Sequence, residues 1–170
     1  MTKMKVAVIG CGMIASTQHI KAYAHNDLAE IKYLVDIKQE RALELAKSYD
    51  VPFTETDFRK ILNDQEVEVV SICTPNNTHA PIAIACLNAG KHVLCEKPAA
   101  ISMEQVIEMK EAADRNGRIL NIGVVNRYNT AVNKIKQMID DGELGKIYHV
   151  YCSFRAHRSI PGLGGPFTTK

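Results

Sequence analysis

The fold of this chain is decided in residues 5–15, which read KVAVIGCGMIA. Residues 5–9 are a short apolar run that predicts a buried strand, and a turn of the pattern G-x-G-x-x-A follows it directly. Small residues suit such a turn because Gly10 must bend the chain tightly, Gly12 must let the backbone approach a pyrophosphate, and Ala15 must keep the helix close to its strand. The segment therefore predicts a strand, a phosphate-binding turn and a helix whose N-terminus attracts an anion.

A second apolar strand, residues 31–35, ends at Asp36. A carboxylate in this place can accept hydrogen bonds from both hydroxyls of an adenosine ribose, and it repels the additional phosphate of NADP. The order of strand, glycine turn, helix and acid predicts a dinucleotide site with NAD as the cofactor. NADP stays open as an alternative because Lys38 lies close to the acid.

Helical and strand patterns alternate along the rest of the first 125 residues. Helices are predicted at 38–49, 58–62, 79–88 and 102–117, and strands at 52–54, 67–73, 91–95 and 119–125. Asn77 or Thr78 is expected to cap the helix at 79–88, and Ser102 with Gln105 forms a capping box for the next one. This alternation predicts the α/β class, with a doubly wound, mostly parallel Rossmann sheet in a dinucleotide-binding domain over residues 1–125.

Residues 126–170 are predicted to hold a connecting helix and the beginning of a second α/β domain. The helix carries Val132, Ile135 and Ile139 on one stripe, and residues 147–154 alternate between apolar and polar side chains like a strand. Too few residues follow this strand to build the remainder of a sheet. We therefore expect the chain to stop inside a substrate and oligomerisation domain.

Composition excludes several classes of partner. The chain has 170 residues with 21 basic and 19 acidic side chains, and these are spread along it without a basic stripe for nucleic acid. No apolar run approaches the roughly 20 residues that cross a bilayer, and the first strand begins too early for a signal peptide. The five cysteines lack metal-ligand spacing, so we interpret them as reduced thiols and predict no metal site. A cytoplasmic protein is expected.

Three stretches together resemble the Gfo/Idh/MocA oxidoreductase family: residues 10–15 with Asp36, residues 74–76 with His79, and the triplet Glu96-Lys97-Pro98. The resemblance implies an N-terminal Rossmann domain joined to a C-terminal α/β domain that carries much of the substrate site. It also implies that Lys97 bonds the reacting hydroxyl and that the Lys-Pro bond is frequently cis. The Asp and His that the family usually supplies to catalysis would lie beyond residue 170.

The role implied for Lys97 has a direct physical reason. A hydride leaves carbon readily only as the attached hydroxyl becomes an alkoxide, so a fixed ammonium at that oxygen favours the transition state. Glu96 either orients this lysine or contacts the cofactor ribose, and a carboxylate that merely satisfies local backbone donors is the alternative. Asn126 and Arg127, which resemble the family segment after the sixth strand, are predicted to bind substrate. The predicted cofactor-binding residues are Gly10, Cys11, Gly12, Met13, Ile14, Asp36, Thr74, Pro75, Asn76, His79, Glu96 and Lys97.

These features predict an NAD-dependent dehydrogenase that acts on a secondary alcohol of a sugar, polyol or related small molecule, with Lys97 as the catalytic residue. The 170 residues alone are expected to lack turnover, and the full-length protein is expected to form a homo-oligomer without nucleic-acid or membrane partners. Two alternatives stay open, a non-catalytic module that senses the cofactor and an NAD-assisted glycosidase of the same family.

Overall fold

The computed structural model describes residues 2–153, and the chain divides into two compact units between Gly123 and Val124. The first unit is built on one sheet of six parallel strands. The strands are β1 Met4–Ile9, β2 Ala29–Val35, β3 Phe53–Glu55, β4 Val67–Ile72, β5 His92–Cys95 and β6 Leu120–Ile122. Their order is β3-β2-β1-β4-β5-β6, so the direction of winding reverses between β1 and β4. Ligands bind at such a switch point in open α/β sheets.

Helices cover both faces of this sheet, which explains the continuous apolar strands. Helix α1 joins a π-helical turn, Ala15–His19, to an α-helical turn, Ile20–Ala24, and a short 3-10 helix occupies Phe58–Ile61. The other helices are α2 Gln39–Tyr49, α3 Asn76–Asn88 and α4 Met103–Asn116. In β1, Ala7 and Ile9 face one core with α3 and α4, while Val6 and Val8 face a second core with α1 and α2. The predicted doubly wound α/β fold is confirmed.

Helix α3 begins earlier than the sequence pattern indicates. Its first residue is Asn76, so the predicted start near His79 with Asn77 or Thr78 as cap was wrong. The backbone N–H and the hydroxyl of Thr78 both donate to the carbonyl of Pro75, at 2.9 and 2.7 Å. These bonds close a helical turn over polar residues that, from propensity alone, favour a loop.

The limits of α4 follow its capping residues. Ser102 accepts a hydrogen bond from the Gln105 N–H at 3.4 Å, and the Gln105 side chain accepts one from the N–H of Ile101 at 3.3 Å. The helix ends before Gly117, whose φ of +58° lies in the left-handed region. Strand β6 is shorter than predicted, because the chain turns into a 3-10 helix at Val125–Tyr128.

The second unit contains that 3-10 helix and α5, Thr130–Asp140. Asn129 caps α5 by accepting from the N–H groups of Ala131 and Val132. The predicted strand is not formed over residues 147–153, because a strand needs a neighbour to complete its hydrogen bonds and the described second unit contains no strand. The remainder of the predicted domain start, residues 154–170, lies outside the described part of the chain. Within residues 2–153, no helix has both the length and the apolar character needed to cross a membrane.

Candidate functional site

The glycine turn after β1 is tight on one side and open on the other. Gly10 has a φ of +90°, and its N–H donates to the carbonyl of Val35 at 2.7 Å. A Cβ added at Gly10 would lie 2.7 Å from the carbonyl oxygen of Cys73, whereas one added at Gly12 would meet nothing within 4 Å. The backbone at Gly12 therefore borders open space at the start of α1, where a pyrophosphate can approach it.

Asp36 lies beside this turn at the end of β2. The residue is 8% exposed, and its carboxylate accepts hydrogen bonds from the backbone N–H of Cys11 and from that of Lys38, both at 2.8 Å. Each carboxylate oxygen has two lone pairs, so capacity remains for further donors such as ribose hydroxyls. The two bonds fix the orientation of the acid against the glycine turn.

A cavity of about 370 Å³ opens between the glycine turn and α2, which is within the range of small-molecule sites. Arg41 in the first turn of α2 lines it and was not predicted as a site residue. The sequence could have indicated Arg41 as a site residue, because it lies in the predicted helix that directly follows Asp36. The lining residues are Cys11, Gly12, Met13, Ser16, Arg41, Glu44 and Leu45.

The thiol of Cys11 is not a reactive group in this turn. Burial, reinforced by the nearby charge of Asp36, raises the pKa of Cys11 to about 12. The thiol is therefore neutral at physiological pH, and the polar contribution of Cys11 to the turn comes from its backbone N–H.

The loops after β4 and β5 lie side by side at the same edge of the sheet. The N–H of Cys73 donates to Ile9 at 2.8 Å, and that of Glu96 donates to Ile72 at 3.0 Å. His79, which is 1% exposed, joins the two loops, with Nδ1 2.7 Å from the carbonyl oxygen of Pro98 and Nε2 2.8 Å from that of Thr74. The structure therefore brings together the predicted residues of 74–76 and of 96–98, with His79 as a buried support of both loops.

Lys97 is exposed at this edge, and the Lys97–Pro98 bond is cis. Within residues 2–153, no hydrogen bond or ion pair holds its ammonium group. Glu96 is 8% exposed, and its Oε2 accepts a hydrogen bond from the backbone N–H of Lys97 at 3.2 Å. Its Oε1 lies 2.8 Å from Nε2 of His19, a residue that belongs to none of the predicted motifs.

The predicted substrate-binding residues, Asn126 and Arg127, belong to the second unit. Both are exposed in its 3-10 helix, Val125–Tyr128. Their role in binding substrate stays a prediction.

The first unit fits a dinucleotide on structural grounds alone. It combines a backbone turn open at Gly12, an oriented carboxylate at the neighbouring strand end, and an adjoining cavity of suitable size. An exposed lysine lies at the same sheet edge, on the other side of the switch point. Fold and site together define a dinucleotide-binding Rossmann domain.

The family assignment is more specific. Residues 4–124 match the model of the Gfo/Idh/MocA family, described as an oxidoreductase family with an NAD-binding Rossmann fold. Because this match covers more than half of the chain, the protein belongs to the Gfo/Idh/MocA oxidoreductase family.

Several relatives have named activities. Inositol 2-dehydrogenase of Salmonella typhimurium is 36% identical over 96% of this chain and 49% of its own length. D-glucoside 3-dehydrogenase of Escherichia coli is 31% identical over 98% of this chain and 47% of its own length. Among solved structures, the WlbA dehydrogenase of Bordetella pertussis, in complex with NADH and UDP-GlcNAcA, superposes with a TM-score of 0.80 at 30% identity, over 86% of this chain and 42% of that chain. The chain thus spans about half the length of the curated relatives it matches.

Proposed function

We propose that the whole protein is an NAD-dependent dehydrogenase that oxidises a secondary alcohol of a sugar, polyol or related small molecule. The observation that carries the proposal is the placement, along one sheet edge, of an open glycine turn with its acid and an exposed lysine across the switch point. The relatives named as inositol and glucoside dehydrogenases support the substrate class.

The binding residues have distinct tasks in this proposal. The backbone at Gly12 and the N-terminus of α1 hold the pyrophosphate, and Asp36 accepts the hydroxyls of the adenosine ribose. The loops at Thr74 and Glu96, joined by His79, border the nicotinamide half of the site. NAD is favoured over NADP because Asp36 repels a ribose phosphate, although Arg41 in the adjoining cavity can partly offset that repulsion.

Lys97 acts on the substrate oxygen. Bound NAD supplies the acceptor for the hydride that leaves the carbinol carbon. As the C–H bond breaks, the ammonium of Lys97 donates a hydrogen bond to the oxygen and stabilises its developing negative charge. The hydroxyl proton passes to a base, for which the family resemblance implies a residue beyond position 170.

Two experiments test this proposal. Calorimetric titration of NAD and NADH into the 170-residue chain is expected to show saturable binding without turnover. With the full-length protein and a panel of polyols, NADH formation is expected, and Lys97→Met is expected to lower kcat by about a hundred- to a thousandfold with little change in NADH affinity. If circular dichroism shows that the chain is folded but the chain binds neither NAD nor NADH, the proposal is refuted.

The same assays separate the two alternatives. Release of free sugar without net NADH would indicate the NAD-assisted glycosidase, and tight NAD binding without turnover in the full-length protein would indicate a cofactor sensor. A cytoplasmic location and a homo-oligomer of the full-length protein belong to the proposal as well, and sedimentation of the full-length protein tests the oligomer.

A further inference from the structure

His19 ends the π-helical turn of α1 and is directed into the sheet edge between β4 and β5. Its side chain is 10% exposed. Nδ1 lies 2.8 Å from the hydroxyl of Ser71, a fully buried residue of β4, and Nε2 lies 2.8 Å from Oε1 of Glu96 after β5. A π-helical turn inserts one residue relative to an α-helix and is frequent at functional positions. Here it is the segment of α1 that delivers the imidazole to the loop bearing Lys97.

The hydrogen-bond directions at His19 follow from its two partners. An ionised carboxylate only accepts, so Nε2 donates to Glu96. The Ser71 hydroxyl can donate or accept, so it is a suitable partner for Nδ1. The contact from His19 to Glu96 is therefore a hydrogen bond that the imidazole donates, at 2.8 Å.

Glu96 is held on three sides. One oxygen accepts from His19, and the other accepts from the N–H of Lys97 at 3.2 Å. On the third side lies Gly123, directly after β6. It is so close that a Cβ added to it would lie 3.2 Å from Oε1 of Glu96. The carboxylate is therefore a fixed link between α1 and the backbone of Lys97.

We propose that His19 is a positioning residue which, through Glu96, holds the backbone of Lys97 in the place from which its ammonium reaches the reacting oxygen. The inference rests on the proposed function of Lys97, and it adds a residue that acts without touching substrate. Since a displacement of about 1 Å at a reacting group can cost up to about a hundredfold in rate, the link has a measurable effect.

A matched pair of variants isolates the link. In His19→Gln the side-chain amide nitrogen stands where Nε2 was and can still donate to Glu96, whereas in His19→Asn the amide stands near Nδ1 and can reach only Ser71. In the full-length enzyme, His19→Asn is expected to lower kcat by about ten- to a hundredfold with an unchanged KM for NAD, and His19→Gln is expected to recover most of that loss. Equal kcat values for the two variants would overturn the proposal.

A second readout does not depend on turnover. In the 15N-labelled 170-residue chain, the amide proton of Lys97 is expected to shift upfield in His19→Asn, as its bond to Glu96 weakens, and to stay near its original position in His19→Gln. Should the His19 variants fail to fold, Gly123→Ala keeps His19 in the chain but pushes Oε1 of Glu96, the atom that Nε2 of His19 contacts, by a few tenths of an ångström, and an upfield shift of the Lys97 amide is again expected. A Lys97 amide that does not move in His19→Asn, or in Gly123→Ala where that variant replaces it, would overturn the proposal.

The two readouts also keep this inference distinct from the proposed function. If Lys97→Met leaves the turnover of the full-length enzyme unchanged, the role of Lys97 fails, and the catalytic part of the His19 proposal fails with it. If Lys97→Met abolishes turnover while both His19 variants keep full activity, only the positioning role of His19 is overturned.

Discussion

At the scale of single residues, the two glycines of the first turn are under different constraints. Gly10 needs a positive φ and has a carbonyl against it, whereas Gly12 has open space above its Cα. We expect Gly12→Ala to leave the free energy of unfolding nearly unchanged and to weaken NAD binding at least about tenfold, because the methyl group takes the space of the pyrophosphate. Calorimetry and urea denaturation on the same sample measure both quantities.

Gly10→Ala is the comparison for this prediction. Its added methyl would overlap the carbonyl of Cys73 in a backbone conformation that favours glycine, so loss of folding stability is expected along with loss of binding. If Gly12→Ala binds NAD as tightly as the parent chain, the pyrophosphate does not contact this turn.

In the proposed function, Asp36 and Arg41 have opposite effects on the choice between NAD and NADP. We expect Asp36→Ser to weaken NAD binding and to raise the ratio of NADP to NAD affinity, because the repulsion of the ribose phosphate is removed while the guanidinium remains. Arg41→Ala is the matched variant, and it is expected to lower NADP affinity with little effect on NAD. Competitive displacement of NADH by each dinucleotide measures the ratio, and an unchanged ratio in both variants would refute this assignment.

The spacing of residues in a motif identifies residues whose partners lie nearby in the sequence. It misses residues whose partners are distant along the chain. Asp36, Lys97 and the glycines belong to short patterns with known chemistry. His19 has its partners 52 and 77 residues away along the chain, one in β4 and one directly after β5, and only the fold brings them together. No pattern local to His19 carries that information.

At the scale of the elements, helix ends are governed by backbone conformation as much as by side chains. Gly117 ends α4 with a φ of +58°, and an added Cβ would meet nothing within 4 Å. Gly117→Ala is therefore expected to destabilise the protein by about 1 kcal/mol through the left-handed backbone alone, after part of the strain is offset by lower entropy of the unfolded chain. Urea denaturation measures this, and Gly12→Ala, which has no such backbone, is the control. Equal midpoints for the two variants would contradict the argument.

The elements that the sequence predicts well are those whose pattern and tertiary partners agree. Each of the six strands of the first unit has a neighbour within residues 2–123, and each is found close to its predicted place. Residues 147–153 alternate just as clearly, yet their polar backbone has no neighbouring strand in the described second unit. The alternation of apolar and polar side chains indicates which side chains would lie on each face of a strand. Whether the strand forms depends on hydrogen-bond partners elsewhere in the chain.

At the scale of the whole molecule, the five thiols fall into two groups. Four are buried and one, Cys152, is exposed. Burial raises the pKa of Cys11, Cys73 and Cys95 to about 12, so their reactive thiolate forms are rare at neutral pH.

We expect an aromatic disulfide reagent at neutral pH to modify one thiol of the native chain rapidly and the other four only after denaturation. The Cys152→Ser variant is the control, and it should show no rapid phase. Rapid modification of two or more thiols in the native chain would contradict the burial described here.

The position of β1 in the middle of the sheet has a consequence for how this protein folds during its synthesis. A ribosome delivers the central strand first, then β2 and β3, and the chain can assemble this half of the sheet before β4 has been synthesised. During that interval, the other margin of β1 offers unpaired amides and carbonyls to any nascent neighbour on the same polysome. This margin of β1 therefore stays unpaired until β4 has been synthesised and pairs with it.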